Sequence, residues 1–392
     1  MSEKIRILNI ITRLDIGGSS DVAIAIAERF KNDDYECILM YGQTSDPDGS
    51  ISKYIENKKI TGVNIKSLVR ELNPVKDVVV FFKIYRYIKA NKFDIVHTHS
   101  SKAGILGRWA AYFAGVKHII HMPHGHVFYG YYGRFVSRMF VAAEKITALI
   151  TDKIVAITPK GIKDHLDYKI APEQKFVAVY PGVNVRNYIN LNASAAEKKK
   201  ELGIEEGSYI VGTVTRLEKV KNNAMLIKAF AIAAEKNPKA VLIVAGDGSE
   251  KEMLLKLAGE LGVKERIKFL GFRKDIPELM NIFDVFALAS LNEGFGKVFI
   301  QAGALVKPVV ATRVGGVESV VLDGRTGLLV EPGDYKAFGG RILEVMESRD
   351  LADTLGRNAK EWVAGTENGF LRFSEEAMLN KFENLYKEVL TR

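Results

Sequence analysis

The chain has 392 residues, 47% of them hydrophobic, with one cysteine, which excludes a disordered or repeat protein and predicts two domains rather than one. The lone Cys37 excludes an internal disulfide and a cysteine-based metal cluster, and points to a reducing, cytoplasmic setting. The net charge of +9 is uneven, since residues 1–180 hold 26 basic and 18 acidic residues whereas residues 181–392 hold 30 and 29. A basic first half predicts an anionic partner, either a phosphorylated ligand, a polyanion or an acidic membrane surface. Nucleic acid fits less well, because no stripe of Lys and Arg interleaved with aromatics is present.

The N-terminus MSEKIRILNIITRL lacks a signal-peptide core, and no run approaches the ~18 apolar residues of a spanning helix, so any membrane contact is expected to be peripheral. Ile5 to Ile11 reads as a buried parallel strand. It runs through Gly17-Gly18 into an Ala/Ile-rich helix, Val22 to Phe30. A glycine pair there is either the ligand loop of a doubly wound sheet or only a turn. Strands at Glu36–Met40 and Asp94–His97 alternate with helices at Val78–Ala90 and Ala103–Ala114, the rhythm of a mostly parallel sheet. Asp46-Pro47-Asp48 matches a metal-binding D-x-D in form, but its Gly/Ser/Gln surroundings read as a solvated turn.

Five histidines fall in two clusters, His97 and His99, then His121, His124 and His126. Zinc is one reading, since imidazoles two apart on an extended segment share a face. Both clusters close a predicted strand, and hydrogen bonding to a polar substrate at the sheet's carboxyl edge explains them without a metal. Phe128, Tyr129, Tyr131, Tyr132 and Phe135 then stand beside Arg134 and Arg138. That mixture suits a membrane interface or an acceptor groove, or a tyrosine-rich loop leading into a core helix.

After Val177 to Tyr180, Pro181-Gly182-Val183-Asn184 and the polar run to Lys200 read as a connection between domains. A second α/β series begins with a strand at Ile210–Val214, and Asn222 is expected to cap a helix from Met225 to Ala234. Arg216 and Lys221 straddle that strand-to-helix loop, where two cations near a helix start suit a diphosphate. Strands at Val241–Ala245 and Ile267–Leu270 end in Gly246-Asp247-Gly248 and Gly271-Phe272-Arg273. Val285–Leu288 is a further buried strand. It breaks at Asn292-Glu293-Gly294-Phe295-Gly296 and resumes as a helix through Val298, Ile300 and Ala302. This delivers an acid to a strand's carboxyl end and follows it with helix-start amides that hold anions. Val309–Ala311 ends in Arg313-Val314-Gly315-Gly316. No complete G-x-G-x-x-G occurs in these loops, which argues against a dinucleotide cofactor.

Two doubly wound halves, a Gly-Gly first loop, Arg216 with Lys221, and E-G-F-G from Glu293 together resemble the family 4 retaining glycosyltransferases over nearly the whole chain. The resemblance implies the GT-B architecture, two Rossmann-like domains facing across a cleft: residues 1–180, onto which a last helix within 376–392 packs back, and residues 181–375. It implies a nucleotide-diphosphate sugar donor, most simply UDP-linked, a lipid-linked or polysaccharide-type acceptor, retention of configuration, and no metal or other cofactor.

By position, Arg216 and Lys221 would hold the diphosphate and Glu293 the sugar hydroxyls, with Gly294, Phe295, Gly296 and Lys297 beside sugar and phosphate. Gly18, next to Gly17, would approach the diphosphate and His124 the sugar. Gly246 would belong to the donor site, and Arg273 lies where the main chain meets the base. The family's E-x7-E is here E-x7-Q, because the second position is Gln301. Two rivals remain open from sequence: a nucleotide-sugar epimerase recruiting His124 and Glu293, and a noncatalytic nucleotide-binding subunit suggested by Gln301.

Overall fold

A computed structural model of the chain describes residues 3–14, 18–44, 50–71, 73–125 and 133–391. The chain divides into two compact units, Met1–Gly182 with Glu375–Arg392, and Val183–Ser374. Unit 1 is built on seven parallel strands: β1 (Ile5–Ile11), β2 (Tyr35–Tyr41), β3 (Thr61–Asn64), β4 (Ile95–His99), β5 (His118–Met122), β6 (Lys153–Ala156) and β7 (Phe176–Ala178). Their order is β3-β2-β1-β4-β5-β6-β7. Unit 2 has six: β8 (Tyr209–Val214), β9 (Ala240–Ala245), β10 (Ile267–Gly271), β11 (Val285–Leu288), β12 (Val309–Thr312) and β13 (Leu328–Val330), in the order β10-β9-β8-β11-β12-β13.

In a parallel sheet the crossover helices cover both faces, so central strands are buried on both sides and need no polar alternation. β4 and β11 are buried at every position. The order reverses between β1 and β4 in unit 1, and between β8 and β11 in unit 2. Loops leaving the two strands at such a reversal diverge to opposite faces and open a crevice at the carboxyl edge.

Local signals set the helices that flank these crevices. Asn73 caps Pro74–Asn91 by accepting from the Lys76 amide, with Pro74 in the first turn where its missing N–H costs nothing. Ser101–Ala114 stops at Gly115, whose φ of 82° is the left-handed conformation that closes a helix. The final helix, Glu375–Leu390, belongs to unit 1 and sets the Tyr386 ring against Phe30 at 4.9 Å. Among the described residues, no helix is long and apolar enough to cross a membrane.

Candidate active site

At the reversal of the six-stranded sheet, β8 runs into Thr215 and a loop whose anchor is the fully buried Leu217. The Leu217 amide donates to the Asp247 carbonyl at 2.9 Å, and its own carbonyl accepts from Glu250 at 2.9 Å. Arg216 beside it points outward, with 65% of its side chain exposed, and pairs with Glu218 at 2.7 Å. A short 3-10 turn, Lys219–Lys221, then leads into the helix Asn223–Lys236. The neighbouring loop after β11 is tied to this one by the Leu291 amide donating to Val220 at 2.8 Å.

That tie brings Lys221 Nζ onto Glu293 Oε1. Ser290 Oγ donates to the same oxygen at 3.1 Å, and Thr312 Oγ1 donates to the Ser290 carbonyl. From the loop after β12, Gly316 donates to the Glu293 carbonyl at 2.9 Å. A Cβ at Gly315 would fall 2.0 Å from that carbonyl, and its φ of 52° favours glycine as well. Three loops therefore fix Glu293, which is 8% exposed, while the Lys221 side chain is 17% exposed. An ion pair so far out of water has lost much of its hydration, so each charge depends on the other or on a ligand that replaces it.

Beyond Glu293, Gly296 has a φ of 74° and precedes the helix Lys297–Ala304; a Cβ there would meet the Phe299 ring at 2.5 Å. Gly294, Gly296 and Lys297 thus surround a helix start beside the ion pair, and Gln301 lies one turn further along, partly buried. The Phe295 ring turns inward, 4% exposed and 5.9 Å from Phe373, so its main chain and not its side chain belongs to this edge.

One expectation needs correction, and two further residues carry structural contacts of their own. Asn222 does precede the helix, but with φ 50° its amide side chain caps no N–H and approaches Met225 Sδ instead. The Gly246 amide is spent on the Gly271 carbonyl at 2.7 Å, and a Cβ at Gly246 would strike the Thr215 carbonyl at 1.8 Å, so this glycine locks three loops together. Arg273 is gripped by Asp275 through two hydrogen bonds and by Glu201 at 2.9 Å. These bonds raise its pKa further and, with Lys198, hold the Asp275 carboxyl well below the usual carboxylate range.

In unit 1 the histidines take a different role from the one expected. His97, His99 and His121 are 0–1% exposed, inside the sheet's two faces, and do not reach a ligand edge. Alternation along β4 sends His97 and His99 to one face and Thr98 to the other. His97 Nδ1 meets Tyr386 Oη at 2.8 Å, and the His97 and His99 rings lie 4.3 Å apart. His99 Nδ1 and His124 Nε2 share a hydrogen bond at 2.7 Å. On the other face His121 Nδ1 meets Thr98 Oγ1 at 3.0 Å, above Gly104, where a Cβ would come 2.4 Å from the imidazole.

Burial, with His124 nearby, lowers His97 to about 3, and burial likewise drives His99 and His121 well below the ordinary value, so the three are neutral. His124, half-buried with φ 59°, is the member of this column at the sheet edge. Among the described residues no group of three His, Cys, Asp or Glu is placed to hold a metal. Gly18 sits at the start of the helix Ser19–Arg29 with φ 57° and nothing within 4 Å of a Cβ. Gly17, Asp46-Pro47-Asp48, His126 and Phe128, Tyr129, Tyr131 and Tyr132 lie outside the described residues.

Sequence reasoning missed Ser290 and Thr312 around Glu293, and Tyr386 against His97. Ser290 had a signal, as the hydroxyl between the end of β11 and the acid. The others act across long sequence separations that only the strand order brings together.

Known proteins match both halves. The family described as Glycosyltransferase Family 4 matches residues 16–187, and that described as Glycosyl transferases group 1 matches residues 194–362. A relative from Escherichia coli, UDP-Gal:alpha-D-GlcNAc-diphosphoundecaprenol alpha-1,3-galactosyltransferase, is 25% identical over 99% of this chain and 98% of its own. N-acetyl-alpha-D-glucosaminyl L-malate synthase from Bacillus anthracis is 31% identical over 61% of this chain and 60% of its own. The Anabaena protein HepE, crystallised with UDP and glucose, superposes with a TM-score of 0.80 at 21% identity, covering 98% of this chain and all of that one. WaaG, a glycosyltransferase of lipopolysaccharide biosynthesis, does so with a TM-score of 0.73 at 18% identity, over 95% and 98% of the two chains. The fold is GT-B.

Proposed function

Because the chain belongs to the family 4 glycosyltransferases, we propose that it transfers a sugar, with retention of configuration and without a metal, from a UDP-linked donor to a lipid-linked or polysaccharide-type acceptor. The observation that carries this reading is the Lys221–Glu293 pair at the strand-order reversal of unit 2, flanked by Arg216 and a glycine-bearing helix start. An arriving diphosphate takes Lys221 and Arg216 as counter-ions in place of Glu293 and Glu218. Glu293 stays in position on Ser290 and accepts hydrogen bonds from hydroxyls of the transferred sugar.

As the bond from sugar to diphosphate breaks, negative charge grows on the leaving oxygen. The two cations and the first amides of the helix Lys297–Ala304 stabilise that charge more than the ground state, which is what accelerates transfer. We assign the ribose hydroxyls to Gln301, which accepts from one and donates to the other at a cost of ~1 kcal/mol relative to a carboxylate. His124 is assigned to the sugar and Gly18 to the diphosphate. His124 is suited to its role because His99 holds its Nε2.

The setting we propose is cytoplasmic, with peripheral contact to an anionic membrane. Exposed Phe135 and Met139, at 76% and 59%, stand on the same helix as exposed Arg134 and Arg138, which supports it. The deciding experiment offers UDP-sugars and GlcNAc-diphospho-polyprenol to the chain in chelator and assigns the product anomer by NMR. A retained anomer is expected. An inverted product, or activity that returns only with a divalent ion, would overturn the mechanism; transfer only from another nucleotide would overturn the UDP assignment.

A further inference from the structure

Three buried polar atoms on one face of the seven-stranded sheet, Asn9 Oδ1, His97 Nε2 and His99 Nε2, have no hydrogen-bond partner among the described residues. The residues that carry them are each 0% exposed. Asn9 stands opposite His97 in the register of β1 against β4, and residues paired in this way project to the same face. Asn9 Nδ2 donates to the Ala23 carbonyl at 2.8 Å, on the helix Ser19–Arg29, which fixes the orientation of the amide and leaves Oδ1 as its unused acceptor. His97 reaches Tyr386 on the final helix, and the His97 and His99 rings lie 4.3 Å apart. Native cores leave few such atoms unpaired, and an internal water making about three bonds is a common partner.

The proton positions follow from matching donors to acceptors. Tyr386 is fully buried, and burial raises its pKa and keeps it a phenol. Its hydrogen bond among the described residues is the one to His97 Nδ1 at 2.8 Å. The phenol therefore donates, and His97 keeps its own proton on Nε2. A water beside that N–H accepts from it and has two protons to give, one to Asn9 Oδ1 and one to His99 Nε2. His99 then carries its proton on Nδ1 and donates it to His124 Nε2 across 2.7 Å. The opposite polarity would aim the N–H groups of both His97 and His99 at the water and leave one of its protons with no acceptor among these atoms.

We propose that Asn9, His97 and His99 hold one internal water, which completes a directed chain of hydrogen bonds from Tyr386 to His124 and keeps the His124 proton on Nδ1. Asn9, His97, His99 and Tyr386 are thereby positioning residues for His124. The proposal rests on the function given above only in taking His124 as a residue that meets the sugar. It adds that this imidazole is set as a donor through Nδ1, and that the last helix of the chain sets it.

The test records long-range proton–nitrogen NMR spectra of the full chain with isotope-labelled histidine, at a pH where the imidazoles are neutral, so that protonated and bare ring nitrogens are told apart. His124→Asn and the other single-histidine variants assign the signals. His97 is expected as the Nε2–H form, His99 and His124 as Nδ1–H forms, and the His97 ring proton is expected to show a cross-peak to a bound water. Tyr386→Phe removes the phenolic proton and keeps the ring. In it His97 and His124 are both expected to become mixtures of tautomers, and turnover to fall about threefold to tenfold, the worth of one hydrogen bond, with KM for the UDP-sugar unchanged. In the parent chain alone, a His124 proton on Nε2 or a His97 ring proton with no water beside it would overturn the proposal, whether or not the variant folds. A variant that melts earlier but keeps a single His124 tautomer would make Tyr386 a packing residue and overturn it as well. Failure of every UDP-sugar as donor would sink the donor assignment instead, because the spectra are read without sugar.

Discussion

At the strand reversal of unit 2, a lysine and a glutamate meet as a largely desolvated ion pair, held by loops from three strands. In unit 1, His97, His99 and His121 are sealed beneath the edge as neutral imidazoles, and His124 emerges half-buried above them. Both places belong to the same kind of sheet with the same reversal of order. The difference lies in which charge state burial tolerates. In the function proposed above, Lys221 and Glu293 exchange one another for a charged ligand without entering the core, whereas the imidazole column cannot ionise without opening it. The architecture supplies the crevice, and the residues decide whether its floor holds a charged pair or a neutral scaffold for one side chain.

The largest expected effect breaks the unit 2 side of this contrast. Arg216→Ala and Lys221→Ala should each lower kcat/KM by ~2–4 kcal/mol of transition-state stabilisation. They should part company in stability: Arg216, mostly exposed, should leave the melting temperature unchanged, while Lys221→Ala strands a buried carboxylate and lowers it. Kinetics near wild type in both variants would remove the diphosphate assignment.

Next comes the pH response of unit 1. The His97 pKa of about 3 lies below its unfolded value near 6.5, and His99 and His121 are shifted the same way. The unfolded chain therefore binds more protons as pH falls through about 6.5, and the stability these groups carry is present above that pH and lost below it, by ~1.4 kcal/mol per pH unit for each histidine. Urea melts between about pH 7 and pH 5 should show this slope, and His97→Asn should reduce it by one histidine's share. An identical slope in the variant would mean that His97 ionises freely in the folded chain.

A smaller effect probes how tightly the column is packed. Gly104→Ala places a methyl 2.4 Å from His121, and overpacking of that kind costs ~1–3 kcal/mol in chemical denaturation. A neutral substitution there would show that the histidine can shift aside.

The smallest concerns the exposed face. Arg134→Glu with Arg138→Glu should abolish co-sedimentation with anionic vesicles, at about 1 kcal/mol for each charge, and salt should do the same to the parent chain. Failure of the parent to bind either anionic or neutral vesicles at low salt would take the membrane out of the account.

The central strands were legible because a strand buried on both faces writes a continuous apolar run, as Ile5–Ile11 and Val285–Leu288 do. β3, Thr61–Asn64, was not, because it is a four-residue edge strand with mostly exposed positions. β13 was missed because three residues carry no period. The loop positions of Lys221 and Glu293 were readable, but their pairing was not: it requires β8 and β11 to be neighbours although residues 221 and 293 are far apart in the chain. The histidines misled for the same reason. Two imidazoles at the end of a strand look alike whether the strand is at the rim or the centre, and only the register of β4 against β5, with Thr98 opposite His121, decides it.

The bond from Tyr386 to His97 also fixes an order of events during synthesis. Unit 2 is one unbroken stretch, Val183–Ser374, whereas unit 1 lacks its last helix until residues 375–390 have been made. Because domains fold as they emerge, a ribosome finishes the second unit while the first still waits, with His97 and Phe30 uncovered where Tyr386 will sit. A chain stalled at the end of unit 2 would therefore be marked by an incomplete first unit, which only the turns of residues 375–390 close.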